Sequence, residues 1–434
     1  MYNRVSAAAA CRASTIIAFA VTSLVLAPSG ASAAKLRDIH DFSSCLDFGC
    51  NGVNGNNPLV GDASGTFFGA INEGGDNGVG EIFEMIPGSH GGYRYKSIYS
   101  FCPQGVGDCS GGYTPNDLIV DVNGNLYGTT QGGGAFGGGT VFELKRGKRA
   151  WKYSVLYNFC SANTGNCPDG AVPNTGLSYA GESMRFAWDG TSPLFGTTGA
   201  GGTNDVGLVY KLVRNGSQWS EQPIYKFSGS GGNAAAGPLA VDSSGNVYGA
   251  SSGGTNGNGW LFRLAHDTWK PTVLHQFCSL QNCADGASPI GEIVILPSGD
   301  IFGAAGNSGA HNFGVVYQLK PTSRGYRYNV YYDFCTYHVG FECRDGAQPT
   351  GVAYDPTGSG SLVGTTSWGD GALFRIQNGG FESVLHSFCE DPTRPVKCIY
   401  FPAAKVIIDA NGSIFGETWG GGTAHLGAIF QYEP

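Results

Sequence analysis

The side chains best suited to chemistry gather near the end of the 434-residue chain. Glu417, Trp419 and His425 share one short stretch, and Trp368 with Asp370 occupies the matching stretch one unit earlier. Apolar ring faces stack on sugars while flanking polar groups fix hydroxyls, so indoles beside carboxylates suit carbohydrate recognition. The same groups could supply acid and base. Glu417 with Asp370 or His425 would then be the catalytic set of a polysaccharide lyase or glycoside hydrolase. Glu73, Asp76, Asp205 and His311 hold equivalent places in other units. Each has an ordinary use too, since a loop Trp packs on its neighbours and a loop carboxylate is solvated.

Other motifs weaken on inspection. The Asp-x-x-Gly turns at Asp62, Asp121, Asp242, Asp355 and Asp409 look like calcium loops, but an EF-hand needs a longer loop with more oxygen ligands. Asx turns in hairpins explain them better. Gly132-Gly133-Gly134 lacks the Lys and following helix of a phosphate loop. Gly249-Ala250-Ser251-Ser252-Gly253 spells a nucleophile elbow, yet that motif needs a strand-to-helix turn. No metal and no cofactor is expected.

The cysteines set the compartment. Cys11 precedes a cleavage signature, and the other twelve fall into six close pairs: Cys45/Cys50, Cys102/Cys109, Cys160/Cys167, Cys278/Cys283, Cys335/Cys343 and Cys389/Cys398. Each pair follows a strand-closing Phe, while the unit with Phe227-Ser228 lacks both partners. Pairs that are kept or lost together predict disulfides within loops. Zinc is the weaker alternative, because one pair offers only two of four ligands. The N-terminus agrees: Arg4 and Arg12, an apolar run over Thr15 to Ala27, and Ala31-Ser32-Ala33 read as a signal peptide over 1–33. That run is too short to span a membrane. A secreted, soluble monomer over 34–434 is expected, with no membrane span. Its net charge of −8 and the lack of basic clusters make nucleic acid an unsuitable partner.

What positions these residues is a repeat. One mark is an apolar residue before Gly: Phe68-Gly69, Tyr127-Gly128, Phe195-Gly196, Tyr248-Gly249, Phe302-Gly303, Val363-Gly364 and Phe415-Gly416. A second is an aromatic in a short strand: Phe83, Phe142, Tyr210, Phe262, Tyr317, Phe374 and Phe430. A third is the strand-closing Phe: Phe42, Phe101, Phe159, Phe227, Phe277, Phe334 and Phe388. The three marks follow one another in a constant cyclic order.

One unit shows four strands. Leu118 to Asp121 is joined by Asn123-Gly124 to Leu126 to Thr129, followed by Thr140 to Leu144 and Tyr153 to Phe159. Four-stranded sheets that cannot bury both faces alone stack as propeller blades. The stretch 35–42 reads as a fourth strand without its first three, and 427–432 as a third strand without its fourth. Pairing them closes a seven-bladed β-propeller and removes an aggregation-prone edge. The stapled loops and the Gly-rich loops should then share one rim.

These marks resemble the GloVer tandem-repeat proteins, exported bacterial repeat chains. Gly139-Thr140-Val141-Phe142, Gly207-Leu208-Val209-Tyr210 and Asp121-Val122-Asn123-Gly124-Asn125-Leu126-Tyr127-Gly128 carry the likeness. It implies repeat architecture and an extracytoplasmic location, but brings no catalytic set. The expected role is a binding module offering its rim to a glycan or an extracellular protein. A polysaccharide-active enzyme and an adhesive scaffold are the alternatives, since propellers host all three.

Overall fold

A computed structural model describes residues 34–434 except 43–49, 54–56, 90–91, 162–164, 185, 230–234, 236, 340–341, 358, 369–370, 389–398, 403–404 and 424. Seven antiparallel sheets follow one another along the chain. The second blade is typical: Tyr113–Val120, Leu126–Gly132, Thr140–Lys145 and Lys152–Asn158 pair in sequence order. The seventh is composite. Its second and third strands, Ile414–Gly421 and Ala428–Glu433, are completed by Lys35–Asp41, with Lys35 opposite Glu433 and Asp41 opposite Ala428. Arg37 fastens this joint by donating to Gln431 Oε1 at 2.6 and 2.9 Å and to Glu433 Oε1 at 2.8 Å. The ring closes as expected.

The three marks converge on a single contact at each seam. The closing Phe of one blade meets the third-strand aromatic of the next: Phe101–Phe142 at 5.6 Å, Phe334–Phe374 at 5.0 Å, and Phe388–Phe430 at 5.1 Å between centroids. The closing seam has Phe42–Phe83 at 6.4 Å. The marker Gly lies across the ladder from the same aromatic and makes room for it. A Cβ on Gly128 would fall 2.6 Å from Phe142 Cζ, and on Gly416 2.6 Å from Phe430 Cζ. Seven buried apolar clusters result, one per seam. Burial of these rings supplies most of the driving force for association of the blades.

A second device locks five seams. Thr114, Val172, Ser288, Gln348 and Phe401 open first strands in left-handed backbone, with φ of 53–56°. Each precedes a Pro whose ring abuts the Gly before the third strand of the preceding blade. A Cβ on that Gly would meet the Pro Cδ at 2.2–2.7 Å, as between Gly139 and Pro173. Only the smallest residue fits against a prolyl ring there.

The rim is stapled. Disulfides join Cys102 to Cys109, Cys160 to Cys167, Cys278 to Cys283 and Cys335 to Cys343. The sulfurs of Cys45, Cys50, Cys389 and Cys398 lie outside the described residues, as does the segment 1–33. Gly134, Gly202 and Gly309 of the Gly-rich loops donate to the carbonyls of Cys109, Cys167 and Cys283 at 2.9, 3.0 and 3.0 Å, so the two loop sets do share one face. Four bridges fit an oxidising environment. Among the described residues, no helix is long and apolar enough to cross a membrane.

Candidate functional site

Two surfaces of the ring differ in character. On the rim, Trp368 and Trp419 stand on adjacent blades, 55% and 52% exposed. His425 is exposed nearby in the sequence, in left-handed backbone. Glu73 and Asp205 are exposed too, and Asp205 accepts from the Gly201 amide at 2.7 Å. His311 faces Asp333 at 3.3 Å. Asp370 lies outside the described residues. No described contact joins these side chains into one pocket.

Glu417 departs from the expectation. It was read as the opening of a rim loop, but the second strand continues through it from Ile414 to Gly421. Its side chain is 1% exposed, and neither carboxylate oxygen has a hydrogen-bond partner. Burial, with Asp117 adding to it, pushes its carboxyl well above the usual range. Thr129, Thr197 and Thr365 fill the same place in other blades. Their hydroxyls pair with Thr175 O at 2.8 Å, Asn174 Oδ1 at 2.9 Å and Thr350 Oγ1 at 2.7 Å. Glu417 therefore cannot deliver a proton to a ligand on the rim. The five turn aspartates behave as read: Asp121 Oδ1 takes the amides of Asn123 and Asn125 at 2.8 Å, and Asp409 Oδ1 those of Asn411 and Ser413 at 2.8 and 2.9 Å.

The other surface leads to a cavity that sequence reasoning missed. One residue per blade precedes the aliphatic core residue of the first strand: Pro58, Asp117, Gly176, Pro238, Glu292, Gly351 and Lys405. At Asp117 and Glu292 the ladder register slips, between Pro115 and Leu118 and between Ile290 and Val294. Such bulges re-aim side chains, here toward the axis. Gly176 leaves the space that Asp117 needs, since a Cβ there would lie 2.6 Å from Asp117 Cβ.

The resulting axial cavity holds about 850 Å³ and is walled by Asp117, Glu182, Glu292, Lys405 and Tyr179 among apolar residues. It opens among the first-hairpin turns of Asp62, Asp121 and Asp409, opposite the stapled rim. Glu182 arrives on a 3-10 turn, Glu182–Met184, inside an insertion of the third blade. That insertion is stitched to the second blade, where Trp188 N donates to Val120 O and Val122 N to Trp188 O, both at 2.9 Å. Fully buried Trp188 anchors it against Tyr127 at 4.8 Å.

The electrostatics are acidic. Lys405 Nζ contacts Glu292 Oε2, while Glu292 Oε1 is buried without a partner. Burial, reinforced by Glu292 and opposed by Lys405, pushes the Asp117 carboxyl up to about 7. Burial and Glu292 likewise hold the Glu182 carboxyl well above its usual range. Three carboxyl groups thus share one ammonium in a half-enclosed space. The findable signal was positional: the residue just before Leu59, Leu118, Leu177, Leu239, Ile293, Val352 and Val406.

Residues 179–337 match the Gloeobacter/Verrucomicrobia repeat. No curated protein is significantly similar in sequence. Among solved structures, YCF48 from Cyanidioschyzon merolae is 11% identical, with a TM-score of 0.52 over 92% of this chain and 99% of that one. A gluconolactonase from Xanthomonas campestris is 10% identical, with a TM-score of 0.40 over 92% and 89%. At such identity the first likeness is one of fold alone. The matched segment spans the third to fifth blades of the seven-bladed propeller, and the three sequence marks within it recur in every blade.

Proposed function

We propose that the protein is an exported binding module that offers its stapled rim to a carbohydrate or protein ligand. One observation carries this reading. Of the eight well-exposed Phe, Tyr and Trp side chains among the described residues, Tyr113, Phe136, Tyr337, Trp368, Phe401 and Trp419 all stand on the rim side. Only Phe186 and Phe381 do not. Exposed aromatics gathered on one face, on loops held by disulfides, favour recognition: rigid rings supply contact area at small entropic cost. Disulfides, and the leader-like composition of 1–33, support export.

A glycan array probed with the purified protein tests the proposal. Replacing Trp368 and Trp419 together by Ala should weaken bound glycans by about tenfold or more, as expected for aromatic anchors. Array binding unaltered by the double substitution would remove the proposed site.

A further inference from the structure

We infer that the axial cavity is a second ligand site, separate from the rim, which takes an organic ammonium compound through the first-hairpin face. Three features point to that chemistry. First, charge: Asp117, Glu182 and Glu292 face a single cation, Lys405. At the mouth, Asp62 is paired with Arg146 at 2.9 Å, while Asp121 and Asp409 add further carboxylates held in their turns. Second, an open valence: Glu292 is 6% exposed and forms part of the wall, and its Oε1 has no partner. An uncompensated buried acceptor is costly, and a donor placed in the cavity would satisfy it. Third, size and lining: about 850 Å³ is the volume of a small-molecule site rather than of a single ion. Leu59, Leu118 and Ile407 give its wall apolar surface for the carbon frame of the ligand.

The geometry assigns roles. Glu292 Oε1 accepts from the ammonium while Lys405 stays on Oε2. Asp117 and Glu182 complete the acidic side, each giving up a proton as the cation enters, because a nearby positive charge favours the carboxylate form. Binding near neutral pH should therefore release protons.

Isothermal titration calorimetry on the full chain reads both effects, using glucosamine and 1,4-diaminobutane as cationic probes and N-acetylglucosamine and calcium chloride as controls. The amines should bind and the neutral sugar should not. At pH 7 the heat should differ between phosphate and Tris buffers by an amount that reports proton release. Glu292→Gln should weaken amine binding about tenfold, the loss of one charge-assisted hydrogen bond. Asp117→Asn should lower the proton release. The chain with both rim tryptophans replaced should bind amines as the native protein does, which separates this site from the rim. Equal binding of N-acetylglucosamine, calcium binding that excludes the amines, no binding of either amine, or unaltered affinity in folded Glu292→Gln would each overturn the inference. Should that variant fail to fold, amine binding to the native chain without proton release does the same.

Discussion

Replacing Glu417 by Thr should stabilise the protein, although it removes a side chain from the core. The native carboxyl is buried with both oxygens unpaired, and an unsatisfied buried polar group costs about 1–3 kcal/mol. Threonine is what three other blades carry there, each with a partnered hydroxyl. Losing about 20 Å³ of side chain returns about 0.5 kcal/mol at about 24 cal/mol per Å³ of cavity. The net gain expected is about 1–2 kcal/mol. Its pH dependence follows from linkage. The folded-state pKa of Glu417 lies above its ordinary 4.5, so its contribution is fully present below that value. It is lost as pH rises toward the folded pKa, because the unfolded chain ionises freely while the folded one resists. The advantage of Glu417→Thr should then be wider at pH 8 than at pH 5. Urea unfolding at the two pH values measures it. A variant less stable than the native protein, or a gap that does not widen with pH, would refute the reasoning.

Further outcomes follow from the seams and the rim. Gly139→Ala places a methyl group 2.4 Å from Thr130 O and 2.6 Å from Pro173 Cδ at a φ of 91°, and should cost about 3 kcal/mol or more in urea unfolding. Gly78→Ala, at a φ of 71° with nothing within 4 Å, should cost only about 1 kcal/mol. Removing the Cys102–Cys109 bridge by a double Ser substitution should lower stability by about 2 kcal/mol, the loop-closure value for so short a span. Mass spectrometry after thiol alkylation should find the native eight sulfurs of the described bridges unmodified until reductant is added.

Most of the wheel was legible because one contact per seam forces three residue types at once. A marker Gly, an aromatic across the ladder from it and a Phe from the preceding blade must coexist, so their spacing survives in the sequence as a rhythm. Closure was legible for the same reason, since Phe42 had no unit of its own until Phe83 and the last strands claimed it. The axial cavity was not. Its ring position accepts Pro58, Asp117, Gly176, Pro238, Glu292, Gly351 or Lys405 alike, and at Asp117 and Glu292 it is a bulge that turns the side chain inward. Composition has no trace of a bulge. Glu417 was misplaced by one physical detail, the continuation of its strand past the marker Gly416 into residues that resembled a loop.

The prolyl wedge has a mechanical corollary. It sits at the junctions marked by Gly80–Pro115, Gly139–Pro173, Gly259–Pro289, Gly314–Pro349 and Gly371–Pro402, and among the described residues no such pair bridges the third to the fourth blade or the seventh to the first. Without the wedge, the described contacts at those joints are apolar packing and scattered polar contacts, such as Asn174 Nδ2 donating to Ala235 O at 3.1 Å. Under load or heat the wheel should crack there first, into an arc of three blades and an arc of four. Fragments cut between Phe227 and Leu239 are the pair with the best prospect of finding each other again.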